Sequence, residues 1–340
     1  MVSVSGSADV IGVRGLTKRY GELVAVAGVS FTVARGEVFG ILGPNGAGKT
    51  TTLEMIEGLR KPDDGTIVVD GLPVWPRPKA VKGRIGVQLQ ATALFDYQKL
   101  HEIVYVFGSC YGVRRSKRDR IALLERVGLA DKADAYADQL SGGQAQGLSI
   151  ALALVNDPVV TFLDEPTTGL DPRARRALWD VIREINRDGT TVVITTHYME
   201  EAERLCDRVA VMDLGRIVAL DTPRALINQL GATATISFGT SEPLPLETLC
   251  GLDGVHDCRE EDDVDGYVIV AADAQRAVLS LMALAGERDL RVRNLDVRGA
   301  NLEDVFLTTT GHRLSVDDDG AAAAAAGTSR RRFGRRKVAP

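Results

Sequence analysis

Apolar residues along this chain recur every second position in some stretches and every third or fourth in others, and the exchange between these periods predicts its elements. Residues 10–16 and 24–33 have the alternating, β-branched character of strands, with Gly21-Glu22 as the turn between them. Residues 37–42 form a short apolar strand that runs straight into a glycine-rich loop, and residues 51–58 continue from that loop as a helix. Residues 66–69 and 85–89 read as further strands. From residue 100 to residue 136 the spacing is helical, as in Ile121, Leu124 and Leu129, and no strand breaks it, which marks an inserted helical region.

Helix and strand then alternate. Helices are expected at residues 143–156, 173–187 and 199–206, and strands at 159–163, 191–195 and 208–212. Apolar strands separated by helices belong to a largely parallel sheet covered on both faces. The turn Leu214-Gly215-Arg216 leads into a strand at 217–220, and residues 223–231 close this domain. Beyond Gly231 the texture changes: strands at 233–238, 267–271 and 290–297 and an apolar helix at 274–284 suit a small α+β domain ending near Thr310. Asp317-Asp318-Asp319, the alanine run from Ala321 to Ala326 and a basic cluster give the last stretch the composition of a disordered tail. The expected division is therefore 1–231, with a helical subdomain at about 98–157, then 232–311 and 312–340.

A chain of 340 residues exceeds the roughly 100–200 of one domain, in keeping with that division. Its longest apolar stretches, such as residues 148–155, fall short of the roughly 18–20 residues a membrane-crossing helix needs. Residues 1–10 show no basic region followed by an apolar one, so no secretory signal is expected and the chain should stay in the cytosol. Cys110, Cys206, Cys250 and Cys258 lack the close pairing of zinc or dithiol sites and are expected to be reduced, mostly buried thiols. The net charge of −5 conceals six positive residues at the end, Arg330, Arg331, Arg332, Arg335, Arg336 and Lys337; the remainder carries about −11. Such a balance argues against nucleic acid as a partner of the folded part.

The chemistry sits in three short segments. Gly43-Pro44-Asn45-Gly46-Ala47-Gly48-Lys49-Thr50, with Thr51 behind it, lies between a strand and a helix, as a P-loop requires. Its backbone N–H groups cradle phosphate, Lys49 reaches the β and γ phosphates of ATP, and the Thr50 hydroxyl binds Mg2+. The apolar run ending at Leu163 delivers Asp164 to the C-terminal edge of its strand, where open α/β sheets bind ligands, so Asp164 is placed to hold magnesium directly or through water. Glu165 follows beside the γ-phosphate, where an acid orients and polarises the attacking water. Leu140-Ser141-Gly142-Gly143-Gln144 is a second glycine-rich turn opening a helix, with Ser141 as its cap, and offers a further set of N–H groups to an anion.

This layout resembles the ATP-binding cassette family over roughly residues 10–230. The resemblance implies an α/β P-loop NTPase cassette with a largely parallel sheet, an antiparallel β subdomain and a helical subdomain. It further implies that Tyr20 stacks on adenine, that His197 in Thr195-Thr196-His197 contacts the γ-phosphate, and that Asp171 communicates across a dimer. Gln90 resembles the glutamine that senses magnesium and water and connects to a permease, with Gln88 as its nearby alternative. Ser141, Gly143 and Gln144 would face ATP bound to a second nucleotide-binding subunit, a homodimer completing both sites. Two positions depart from the pattern: Gly147 stands where the family has arginine, and Thr161 is polar within the buried strand. Glycine within a helix costs about 0.5–1 kcal/mol relative to alanine.

The motifs Thr195-Thr196-His197-Tyr198-Met199-Glu200-Glu201-Ala202-Glu203 and Asn301-Leu302-Glu303-Asp304-Val305-Phe306-Leu307 resemble the daunorubicin and multidrug exporter type. The expected function is ATP hydrolysis coupled to export of drugs, lipids or other hydrophobic compounds by integral membrane permease subunits. The chain would sit at the cytoplasmic face of the membrane, with residues 106–113 and their surroundings receiving the permease. A soluble cassette acting on ribosomes or DNA is the alternative, though tandem cassettes and long coiled coils are missing. A regulatory protein that binds ATP and hydrolyses it weakly is another, favoured by Gly147. For the basic tail, attraction to anionic lipid at roughly 1 kcal/mol per residue stands beside a solvated end.

Overall fold

The computed structural model describes residues 9–88, 97–231, 234–261 and 266–311. It opens with the hairpin β1 (Asp9–Tyr20) and β2 (Leu23–Ala34), then β3 (Val38–Leu42) and α1 (Lys49–Ile56). β4 (Asp64–Val69), β5 (Leu72–Pro73), α2 (Lys79–Lys82) and β6 (Ile85–Val87) follow. The helical region holds α3 (Leu100–Cys110), α4 (Lys117–Glu125) and α5 (Gly142–Ala153), with two short 3-10 turns before α5. Strand and helix then alternate through β7 (Val160–Asp164), α6 (Pro172–Arg187), β8 (Thr191–Thr196), α7 (Met199–Leu205), β9 (Arg208–Asp213), β10 (Arg216–Asp221) and α8 (Pro223–Gln229). The last part comprises β11 (Ala234–Thr240), α9 (Leu246–Cys250), β12 (Val255–Glu261), β13 (Gly266–Ala271), α10 (Ala274–Glu287), β14 (Val292–Gly299) and α11 (Leu302–Thr310).

The strands make three sheets. The central one has the order β10-β9-β3-β8-β7-β6; only the β9–β10 pair is antiparallel. A second, antiparallel sheet has the order β2-β1-β4-β5, and a third, β12-β13-β11-β14, is also antiparallel. Period-two alternation divides the core. From the central strands, Val38, Leu42, Leu163, Val192, Ile194, Val209 and Val211 join the helices in one cluster. Phe39, Ile41, Phe162, Val193, Ala210 and Met212 join the second sheet and α1 in another. Burial on both faces is what a parallel sheet demands of its strands. Helix α6 packs through Leu178, Trp179, Ile182 and Ile185; the Asp171 carboxylate accepts from the N–H groups of Arg173 and Ala174, each at 2.9 Å, to start it.

Three features of the last part were not expected. Strand β12 carries the charged sequence Val255-His256-Asp257-Cys258-Arg259-Glu260-Glu261, which does not alternate because it forms a sheet edge. Cys250 and Cys258 are joined as a disulfide, correcting the expectation of reduced thiols; α9 and β12 bring their Cα atoms to 5.5 Å. Cys206 is buried as a free thiol and Cys110 is exposed. Helix α11, grouped by its place in sequence with residues 232–311, packs Leu302, Val305 and Phe306 into the cluster shared by α5, α6, α7 and α8. Glu203 of α7 accepts the Leu302 N–H at 2.7 Å, fixing the start of α11 against the cassette. The rest of that segment keeps its own core around Ile236, Phe238, Tyr267, Ile269 and Leu281.

Phe306 is fully buried. Phe306→Ala should therefore destabilise the cassette itself by about 3–5 kcal/mol. Urea unfolding followed by tryptophan fluorescence in a Trp75→Phe background checks this, since the remaining Trp179 belongs to the same cluster.

Candidate functional site

β3 ends at Leu42 opposite Thr196 of β8, and Asp164 at the end of β7 stands opposite Thr195. Three chain segments therefore leave the central sheet at one edge. The first is the loop of residues 43–48. Gly43 donates its N–H to Thr196 O at 3.3 Å, and a Cβ on Gly43 would collide with the Met212 carbonyl. Gly48 has φ of 97° and would meet the Ala25 carbonyl if it carried a side chain, so two positions of the loop admit only glycine. Helix α1 begins at Lys49 without a side-chain cap, leaving its first N–H groups for an incoming anion.

Lys49 is buried and donates to the carbonyls of Gly43 at 2.9 Å and Pro44 at 3.1 Å. Its ammonium also lies 3.2 Å from Glu165 Oε1. His197 Nδ1 lies 3.2 Å from Glu165 Oε2, and Thr168 donates to that oxygen at 3.2 Å. The His197 contact, then the charges of Lys49 and His197, hold the Glu165 carboxyl down to about 2, against burial that pushes it up. Glu165 has φ of 46°, a left-handed conformation that costs a side-chain-bearing residue roughly 1–3 kcal/mol. The strain is held by Thr195, whose carbonyl and hydroxyl both accept the Glu165 N–H, at 3.1 and 3.0 Å.

Thr50 donates to Asp164 Oδ1 at 3.3 Å, and the Thr195 hydroxyl donates to the same oxygen. Hydroxyl and carboxylate oxygens converging beside a phosphate loop suit a hard cation such as Mg2+. A pocket of about 290 Å³ runs from Tyr20, Leu23 and Ala25 past Asn45, Gly46, Gly48, Lys49, Thr50 and Thr51 to Glu165. Tyr20 is partly exposed at its outer end, with the Arg60 guanidinium 5.4 Å from the ring centroid on a side chain held by Glu54. A larger concavity of about 570 Å³ lies by α4, but its arginines are already paired, Arg115 with Asp157 at 2.7 Å and Arg126 with Asp188 at 2.9 Å. Of these two, the smaller is lined by the glycine-rich loop and the uncapped start of α1.

Ser141, Gly143 and Gln144 do not line this pocket. They form the start of α5, where Ser141 Oγ accepts the Gln144 N–H at 3.4 Å and Gln144 Oε1 accepts the Ser141 N–H at 3.1 Å. Lys132 donates to Gln144 Oε1 at 2.9 Å. Gly143 packs closely on α6, since an added Cβ would come within 3.1 Å of the Ala174 methyl. Gly147 is buried, with Val127 and Leu129 against the space a side chain would enter. Gln90 lies outside the described residues; Gln88, the alternative, is buried just after β6 and its N–H donates to Phe162 O at 3.0 Å.

Sequence reasoning missed three polar residues here. Thr195 ties Asp164 to Glu165, and its only signal was its place before Thr196-His197. Glu57 is buried at the end of α1, and Glu201 is fully buried on α7. Nothing in their flanking residues marks them, because tertiary neighbours create their setting. Burial, reinforced by the charges of Asp164 and Glu54, pushes the Glu57 carboxyl from the ordinary 4.5 up to about 8. An acid raised in the folded state contributes full stability below about pH 4.5 and loses it as pH rises through about 8. Glu57→Gln removes this titration. In denaturant melts across pH, the stability of the variant relative to the parent should grow from pH 4.5 to 8 and then level off; a constant difference would contradict the assignment.

Comparison with known proteins agrees with this geometry. A family model described as ABC transporter matches residues 26–168. The Nod factor export ATP-binding protein I of Mesorhizobium japonicum is 41% identical over 316 residues, covering 92% of this chain and 90% of the relative. Its counterpart from Burkholderia lata is 42% identical over 304 residues, covering 88% and 97%. Among solved structures, cbiO1 from Clostridium perfringens, part of the ABC transporter complex cbiONQ, is 30% identical with a TM-score of 0.60, covering 66% of this chain and 92% of that one. The dimeric structure of MJ0796, a bacterial ABC transporter cassette, is 29% identical with a TM-score of 0.56, covering 62% and 98%. Likeness of this extent, running through about nine-tenths of the sequence and joined to a phosphate loop facing an acidic strand end, makes the chain a member of the ABC transporter family, as an ATP-binding subunit.

Proposed function

We propose that this chain hydrolyses ATP to drive export through separate integral membrane permease subunits, working as one of two nucleotide-binding subunits at the cytoplasmic face of the membrane. The observation that carries this reading is the convergence of Lys49 and His197 on Glu165, each at 3.2 Å, beside Thr50 and Asp164. A site that only bound nucleotide would have no use for a carboxylate held ionised between a lysine ammonium and an imidazole in a strained backbone conformation.

The residues divide the work. The uncommitted N–H groups of the glycine-rich loop and of the uncapped start of α1, with the Lys49 ammonium, bind the β and γ phosphates, and Tyr20 at the far end of the pocket offers its ring to adenine. Entry of phosphate gives Lys49 a new counter-ion. Glu165 then loses one of the contacts that depress it, that of Lys49, becomes a better proton acceptor, and orients water toward the γ-phosphate. His197, adjacent to Glu165, donates to the γ-phosphate oxygens. Thr50 and Asp164 would hold Mg2+, which would neutralise charge on the phosphate oxygens. Ser141 and Gly143, turned away from their own pocket, face the ATP of the second subunit, and Asp171 sits on the loop between the two sites. Gln90 is proposed to report the state of the site to the permease.

Export is supported by the names of the relatives, which state Nod factor export, a more specific export type than the daunorubicin type that the motifs at residues 195–203 and 301–307 resemble. Drugs, lipids or other hydrophobic compounds are the proposed cargo class, and the permease selects among them. Among the described residues, no helix is long and apolar enough to cross a membrane, which supports separate membrane subunits. A second reading, a subunit that binds ATP and hydrolyses it weakly, is favoured by Gly147, where a buried glycine stands in place of a cation.

Glu165→Gln keeps the shape of the side chain and removes its charge. Turnover should fall by about 100-fold or more while ATP affinity stays within a few-fold. Steady-state phosphate release and nucleotide-binding titration check the two halves, and unchanged turnover would remove Glu165 from the chemistry.

A further inference from the structure

Packed against the His197 turn lies a carboxylate that does not line the pocket and that the chemistry above does not use. Glu201 projects from α7 and is 0% exposed. A buried carboxyl costs several kcal/mol unless its neighbours satisfy it, so what it touches is informative. Trp179 of α6 donates its indole N–H to Glu201 Oε1 at 3.0 Å. The hydroxyls of Thr196 and Thr167 face the same carboxyl, although neither Glu201 Oε2 nor Thr167 Oγ1 has a well-formed hydrogen bond.

These two threonines belong to the segments that carry the site. Thr196 immediately precedes His197, and its hydroxyl accepts the Tyr198 N–H at 2.9 Å, closing the turn that aims the imidazole. Thr167 follows Glu165 by two residues, in the loop that runs on to Asp171. Arg175 of α6 braces the pair from outside: its guanidinium lies 4.2 Å from the Tyr198 ring centroid and donates to Leu170 O at 3.4 Å. One buried acid therefore stands where α6, the His197 turn and the loop of residues 165–171 meet. Burial drives its carboxyl upward, toward the protonated form that could both accept from Trp179 and donate to a threonine.

We propose that Glu201 is a positioning residue for hydrolysis, holding the His197 turn and the loop of residues 165–171 in one fixed relation so that a second subunit closing on Asp171 also seats His197. This role rests on the hydrolysis reading above and deepens it. Small displacements at such a site are costly, since a misplacement of about 1 Å can lower a rate by about 100-fold.

The full chain with Glu201→Ala should bind ATP with a KM within about twofold of the parent while kcat falls at least about tenfold. Glu201→Gln, which keeps an acceptor for Trp179 and supplies a donor, should restore kcat to within a few-fold. Loss of packing alone would not produce that split or that rescue. Trp179→Phe, which keeps a ring in the core and removes the donor, is measured alongside, and should lower kcat in the same selective way even if Glu201→Ala fails to fold. Parental kcat in Glu201→Ala, or in Trp179→Phe where that is the folded variant, would overturn the positioning role alone. A fall in kcat that Glu201→Gln does not relieve would also overturn it. Absence of turnover from the unsubstituted chain would overturn the hydrolysis reading and the positioning role together.

Discussion

The parallel registration of β3, β7 and β8 governs everything else in this structure. With Leu42 beside Thr196 and Asp164 beside Thr195, the phosphate loop, the acidic pair and the histidine turn all leave the sheet at its C-terminal edge. The strands cannot slip by one residue, because alternate side chains belong to two different cores and a slip would exchange them. Burial of apolar faces thus fixes, at a distance, the placement of Lys49, Glu165 and His197. The small hydrogen bonds at the strand ends, above all those of Thr195, then set Glu165 in its left-handed conformation.

Three acids around this edge differ through their surroundings. Glu165 is held ionised by the His197 contact and the Lys49 ammonium, Glu57 is driven toward neutrality by burial and by nearby negative charge, and Glu201 is driven the same way while satisfied in part by Trp179. Identical side chains acquire separate tasks because their pKa values are pushed apart. The pairing of Lys49 with Glu165 prepares the pocket for an anion: a phosphate that displaces the carboxylate takes over a charge already desolvated and aimed.

Much of this was legible in the sequence, and the reason is that phosphate chemistry is written in contiguous residues. The run from Gly43 to Thr50, the strand delivering Asp164 and Glu165, and the cap at Ser141 each combine local geometry with local chemistry. Strand period and helix spacing gave the alternation that builds the central sheet. What stayed hidden depends on distant partners. Glu201 reads as one acid among several on a charged helix, and its burial follows only when α6 lies across it. The charged strand β12 does not alternate because it is an edge, and the bond between Cys250 and Cys258 follows from the way that edge turns back on α9. The spacing of Leu302, Val305 and Phe306 marks an apolar helix face but says nothing of its return to the cassette core.

On the proposed function, ATP held at Lys49 of one copy is completed by Ser141 and Gly143 of another. Sedimentation velocity on the full chain carrying Glu165→Gln, with and without Mg2+ and ATP, tests it most directly. The protein should be a monomer without nucleotide, become a dimer with ATP, and stay monomeric in a third run with ADP. A species whose mass is the same in all three conditions would contradict it.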